Sequence, residues 1–289
     1  MVAPSRRHVY ARDAPKGSHS LRRAQDGNIS VMRPALVIGL LPLVFFGGGE
    51  RQQGLPGDAA ATAMQADSLY FASRPDRSLA LCEREIAAHG SNVALQRCAA
   101  RADIALGMTI SESPRRKELY DSAIAHARRG LALAPGDIDA RYWVAAAAGR
   151  RAHRDDPILS IKLAYEVYEQ ATAILAADSL HAGAHHALGA LHAEVVKAPK
   201  FVRFVAGRVL RMDLAQRANW PDAEREMRRA VELDPQMMMY AADLADLYGR
   251  AGRSADRDRV LAQMAEITPR NPQDNIIRAR CFALWRRTP

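Results

Sequence analysis

The sequence predicts an all-α fold, a superhelix of helical hairpins (an α-solenoid) with one inserted amphipathic segment, and three observations lead there. No run of alternating β-branched residues occurs in the 289 residues, so strands have no pattern to form on. Apolar residues make up 48 % and aromatic residues only 6 %, with alanine plentiful, which favours helices packed closely through small side chains. Finally, paired helical stretches repeat: GLALAPGDIDARYWVAAAAG (130–149), ILAADSLHAGAHHALGALH (174–192) and AVELDPQMMMYAADLADLYG (230–249) each end one helix, turn, and begin another around a small residue, Ala145, Gly189 or Ala245.

Taken in order, the chain opens on residues 1–31, where Arg6, Arg7, Arg12, Lys16, Arg22 and Arg23 face only Asp13 and Asp26 and supply much of the net charge of +9. The remainder is mildly basic and mixed in sign, which reads as solvated helix faces, so no nucleic-acid partner is expected. From Met32, Arg33 precedes a twelve-residue apolar core, Ala35 to Phe46, and then Gly47, Gly48 and Gly49. A basic start, an apolar core too short to span a bilayer and a small-residue site make an export signal. The expected organisation is therefore a disordered or untranslated leader (1–31), a signal peptide (32–49), a flexible Gly, Gln and Ala linker (50–64) and a repeat domain (65–289). The mature protein would be exported, to a periplasm; an uncleaved membrane anchor is the alternative.

Helix starts are expected at Ser73 with Pro75, Ser113 with Pro114, Asp156 with Pro157, and Pro221 after Asn219, where a capping side chain or first-turn proline deals with unpaired N–H groups. Gly90 marks a turn between two of them. Pro235 to Pro269 is 34 residues, the tetratricopeptide period, and within it Leu244, Ala245, Tyr248 and Leu261 stand where large, small, aromatic and large residues belong; Arg257 breaks the pattern. Two antiparallel helices bury their shared face only if small residues let the backbones approach, and each pair leaves an apolar flank for the next. Earlier repeats exceed 34 residues at His153–Lys162 and Lys197–Trp220, so the segment 197–220 is an insertion between the two helices of one repeat, within about four pairs in all.

Tyr142-Trp143 followed by Gly149-Arg150, Ile161-Lys162 ahead of a helix, His185 with Leu188-Gly189, the run KAPKFVRFVAGRVL (197–210), Trp220 and AVELDP (230–235) together resemble the regulator of microtubule dynamics family, a tetratricopeptide-like group with bacterial relatives. The similarity covers about Ala66 to Asn275. It implies an interaction protein, often membrane-associated, with no catalytic residues to carry over. With the export-like N-terminus it implies an extracytoplasmic bacterial member, which puts a tubulin partner in doubt.

In such a superhelix the first helix of each pair lines the concave groove, and pointing Ala145, Gly189 and Ala245 inward places Tyr142, Arg150, His186, Glu194, Asp246 and Arg250 along it. This mixed set is expected to hold an extended or helical protein segment through aromatic contacts and paired charges; the alternative is that the chain's own termini fill the groove, because terminal repeats need capping. The insert presents Lys200, Phe201, Arg203, Phe204, Arg208 and Arg211. Its apolar residues, Phe201, Phe204, Val205, Val209 and Met212, either cap the adjoining repeats, or lie on an anionic membrane surface and make the chain a membrane-associated adaptor, or form a docking edge for a protein.

A metal-dependent enzyme using His181, His185 and His192 is the distant alternative. His185 and His192, at i,i+7, share a helix face as zinc ligands do, but both stand at large packing positions and no acid or cysteine is spaced to complete a site. With no phosphate loop or nucleophile motif, no cofactor is expected and an interaction scaffold is. Cys82 and Cys98 lie eight residues either side of Gly90, at similar heights of a hairpin, which suits a disulfide in an oxidising compartment as well as it suits two small core residues. Cys281 is left without a partner.

Overall fold

The computed structural model describes residues 56–111, 113–152, 156–209 and 213–285; the expected leader, the signal peptide and the first part of the linker lie outside the described residues. Every described element is helical: α1 (Pro56–Phe71), α2 (Pro75–His89), α3 (Val93–Thr109), α4 (Pro114–Leu133), α5 (Ile138–Arg151), α6 (Pro157–Ala177), α7 (Ala182–Lys197), α8 (Lys200–Val209), α9 (Asp213–Arg217), α10 (Trp220–Leu233), α11 (Met238–Arg250), α12 (Ser254–Ala265) and α13 (Pro272–Trp285). The hairpins are α3 with α4, α5 with α6, α7 with α10 and α11 with α12, each leaning on the next. To these four pairs the chain adds α1 and α2 at one end and α13 at the other. The tetratricopeptide-like α-solenoid is thus the observed architecture.

The capping chemistry explains where most helices begin. Ser113 Oγ accepts from the Arg116 N–H (3.3 Å), Asp156 from Leu159 (2.9 Å) and Asn219 from Asp222 (2.8 Å), each with proline in the first turn. Ser73 departs from this expectation. It caps nothing; Arg74 stands before Pro75 without a side-chain cap bond, while Ser73 adopts φ 60, the left-handed conformation that reverses the chain between α1 and α2. Gly90, at φ 86, makes the corresponding reversal after α2 without a Cβ to strain it.

Small residues sit at the crossings. Ala145 and Ala245 are buried, and a β-carbon at Gly189 would stand 2.9 Å from the Met227 backbone nitrogen and 3.1 Å from the Ala223 carbonyl, so α7 and α10 approach almost backbone to backbone. α1 corrects one boundary. It runs through residues 56–64, the later part of the expected linker, because Ala63 and Ala66 are buried with Leu81, Cys82 and Leu95 of α2 and α3. Part of the extra length at His153–Lys162 goes into α6, which is 21 residues long against 14 for α10.

Candidate partner-binding surfaces

Three of the first helices of the hairpins, α5, α7 and α11, supply the groove residues, and two polar clusters result. In one, Tyr142 of α5 lies with its ring against Gly183, where a β-carbon would overlap it; the ring meets Trp143 edge-on at 5.2 Å and His181 at 5.3 Å. Its hydroxyl shares a hydrogen bond with Tyr240 of α11, and burial pushes both phenols up. The His186 ring stacks on Tyr240 at 4.7 Å, and its Nε2 lies 2.8 Å from Asp243 Oδ2. Burial alone would raise the Asp243 carboxyl, but the bond to His186, with Arg150 and Arg250 beyond, holds it below the usual carboxylate range. Arg150 contacts the Met239 sulfur through its guanidinium.

The second cluster is an ion network between α7 and α11. Glu194 receives Lys197 at 2.5 Å and Arg250 at 3.2 Å, and Arg250 also pairs with Asp246 one turn back. All six expected groove residues therefore fall in these two neighbouring clusters. Asp243 and Tyr240, which the sequence reading passed over, bind the first cluster together; their signal was spacing alone, at i−3 and i−6 from Asp246.

A terminus shares this space. α13 packs on α3 as well as on α11, so it lies on the side that the first helices of the hairpins face. Arg280 Nη2 donates to the Met108 carbonyl of α3 at 2.9 Å, Ile277 is buried in the main core, and the Cys281 thiol is pushed up by burial and by the nearby Asp243 and Asp246. The helix starts on a reciprocal cap: Asn271 Oδ1 accepts from the Asp274 N–H (3.1 Å), and Asp274 Oδ2 from the Asn271 N–H (3.3 Å).

The insert is a second surface, and of its three alternative readings the capping one does not hold for the two phenylalanines. Phe201 and Phe204 of α8 do not cap the repeats; they are 75 % and 60 % exposed. The covering role falls to Ala206, Leu214, Ala215 and Ala218, all buried. Nor is Arg203 a free surface cation: half-buried, it donates to the carbonyls of Ala215 (3.0 Å) and Ala218 (3.4 Å) and so closes the C-terminal end of α9. Lys200 and Arg208 are exposed. Arg211 and Met212 lie outside the described residues, and the side chains of Val205 and Val209 are not among those described.

The histidines are spread over separate tasks. His181 Nδ1 accepts from the Ala184 N–H at 3.1 Å as the cap of α7, His185 joins Glu226 (2.7 Å) to the Ser179 carbonyl (3.0 Å), and His192 is buried, which pushes its pKa down. Among the described residues no three His, Cys, Asp or Glu side chains converge as a metal requires. Cys82 and Cys98 are free thiols side by side under α1; Cys98 Sγ donates to Asp67 Oδ1 at 3.0 Å, and the Cys82 thiol, burial and Asp67 all push the Cys98 thiol up. No described helix is long and apolar enough to cross a membrane.

Comparison with known proteins completes the picture. The family model described as Regulator of microtubule dynamics protein 1-3 matches residues 62–288, from within α1 through α13. Among solved structures, a thermophilic TPR protein of Thermus thermophilus is 18 % identical over 78 % of this chain and 98 % of its own, at a TM-score of 0.55, which shows the shared tetratricopeptide fold. MamA of Desulfovibrio magneticus RS-1 (17 % identical, 72 % and 94 % covered, TM-score 0.42) and YrrB, described as a TPR protein with an unusual peptide-binding site (13 %, 78 % and 92 %, TM-score 0.39), superpose less closely. No curated protein matches the chain.

Proposed function

The chain belongs to the regulator of microtubule dynamics protein 1-3 family, and from that premise we propose that it is a non-enzymatic scaffold whose groove takes a helical segment of a protein partner. The observation that carries this reading is α13 itself. A helix already lies against α3 and α11, seated by Ile277 and by Arg280 on the Met108 carbonyl, which supports reading this surface as one that takes a helix, the mode of helix-in-groove recognition. A partner helix displaces or extends α13 and reaches the ion network of Glu194, Asp246 and Arg250. We further place this scaffold outside the cytoplasm, on the strength of the export signal expected at 32–49, where a tubulin partner has no place.

The test is a pull-down from the native host with identification by mass spectrometry, then affinities for the partner recovered. Arg250→Glu should weaken binding at least tenfold, about 1.4 kcal/mol, against an unchanged surface control, Arg259→Ala. Arg280→Ala with Ile277→Ala, which loosens α13, should tighten it. Normal binding by Arg250→Glu together with no gain from the loosened helix overturns the groove reading.

A further inference from the structure

α8 carries an exposed stripe that the groove reading does not use. Lys200, Phe204 and Arg208 follow one another at i, i+4 and i+8, and Phe201 stands beside Phe204, so all four share one helix face. That face is turned to solvent: Phe201 is 75 % exposed and Phe204 60 %, with Lys200 and Arg208 exposed beside them. The opposite face is fixed. Arg203 is bound to the end of α9 and Ala206 is buried. The rings therefore face outward because the helix is pinned by its other side.

We propose that this face of α8 docks the protein on an anionic lipid bilayer, with Phe201 and Phe204 in the headgroup boundary and Lys200 and Arg208 on the lipid phosphates. Two observations favour a bilayer over a protein. Between Glu194 and Asp213 the sequence has no Asp or Glu, and no acid pairs with Lys200 or Arg208 among the described residues, so the field over the face is of one sign. The two rings stand out from a helix instead of lining a concavity, and a bilayer accepts projecting rings with no pocket to match them. The pattern is that of an interfacial helix, apolar below and cationic at the headgroup level.

The experiment uses the full chain with Phe204→Trp as a local reporter, read as the difference spectrum against the parent protein. This separates α8 from any binding through residues 32–49. With vesicles of phosphatidylcholine and phosphatidylglycerol the introduced tryptophan should shift to the blue and be quenched by brominated acyl chains; with phosphatidylcholine alone it should not. Lys200→Glu with Arg208→Glu in the reporter background should raise the lipid concentration for half the shift at least tenfold. All three substituted positions are exposed, so the fold stays intact, which an unchanged melting temperature verifies. An introduced tryptophan that stays at its water-exposed wavelength on anionic vesicles overturns the proposal, as does a charge reversal without effect. A shift produced by an acidic protein from the host and not by vesicles assigns the face to a protein instead, and equally overturns it.

Discussion

Gly189→Ala sets one methyl group against the tightest crossing in the stack. The added carbon would lie 2.7 Å from Met227 Cγ, 2.9 Å from the Met227 nitrogen and 3.1 Å from the Ala223 oxygen. Backbone atoms cannot rotate away as a side-chain tip can, so α10 has to shift outward from α7 by a few tenths of an ångström, carrying its contacts with it. Overpacking of this kind costs about 1–3 kcal/mol. Replacing a mid-helix glycine by alanine returns roughly 1 kcal/mol of helix propensity, leaving a net loss of up to about 2 kcal/mol. Gly249 in α11 is the comparison, because its β-carbon would meet only Arg257 Cδ at 3.5 Å, an ordinary contact; there the propensity gain stands almost alone. The two variants should therefore differ by about 1–3 kcal/mol, or roughly 2–12 °C in melting temperature for a domain of this size. Thermal unfolding followed by far-ultraviolet circular dichroism reads the difference. Equal melting temperatures would show that α7 and α10 do not depend on the missing side chain, and the close-approach argument would fail.

Three further outcomes are expected. Asp103, 1 % exposed between α3 and α4 with Oδ2 unbonded, has its carboxyl pushed up to about 7 by burial against the opposing hydrogen bond from Ser122. Its folded pKa stands above its unfolded one, so the unfolded chain releases the proton first as pH rises and the fold loses up to about 4 kcal/mol between pH 4 and 7. Asp103→Asn should remove that loss, and urea midpoints for the two proteins that run parallel from pH 4 to 8 would refute it. If the protein is exported, Cys82 and Cys98 should bridge and close a loop of about 17 residues, contributing about 3 kcal/mol in the loop-entropy account; non-reducing mass mapping that finds both thiols free in the exported protein decides against it. N-terminal sequencing of the protein from fractionated cells should find a start near Glu50, and a cytosolic chain with residues 1–31 intact would rule the export signal out.

Much of this molecule was legible in its sequence, for a reason particular to repeats. Each hairpin is a local event: the caps at Ser113, Asp156 and Asn219, the small residues Ala145, Gly189 and Ala245, and the 34-residue spacing from Pro235 to Pro269 all act within one or two helices of themselves. Their order alone placed the insert inside the α7–α10 hairpin and brought Glu194, Asp246 and Arg250 near one another. Two decisions were not local. Arg280 reaches Met108 across 172 positions, and nothing in the pattern of α13 says whether it continues the stack or turns back towards α3; only the finished stack creates the site it fills. The facing of α8 was the other. Its apolar residues could cap the repeats, face a membrane or form a docking edge, because a helix can be anchored from either side, and here the carbonyls at the end of α9 hold Arg203 while Phe201 and Phe204 are left in solvent. Acceptors that exist only after α9 has formed and packed settled which side of the insert the protein shows.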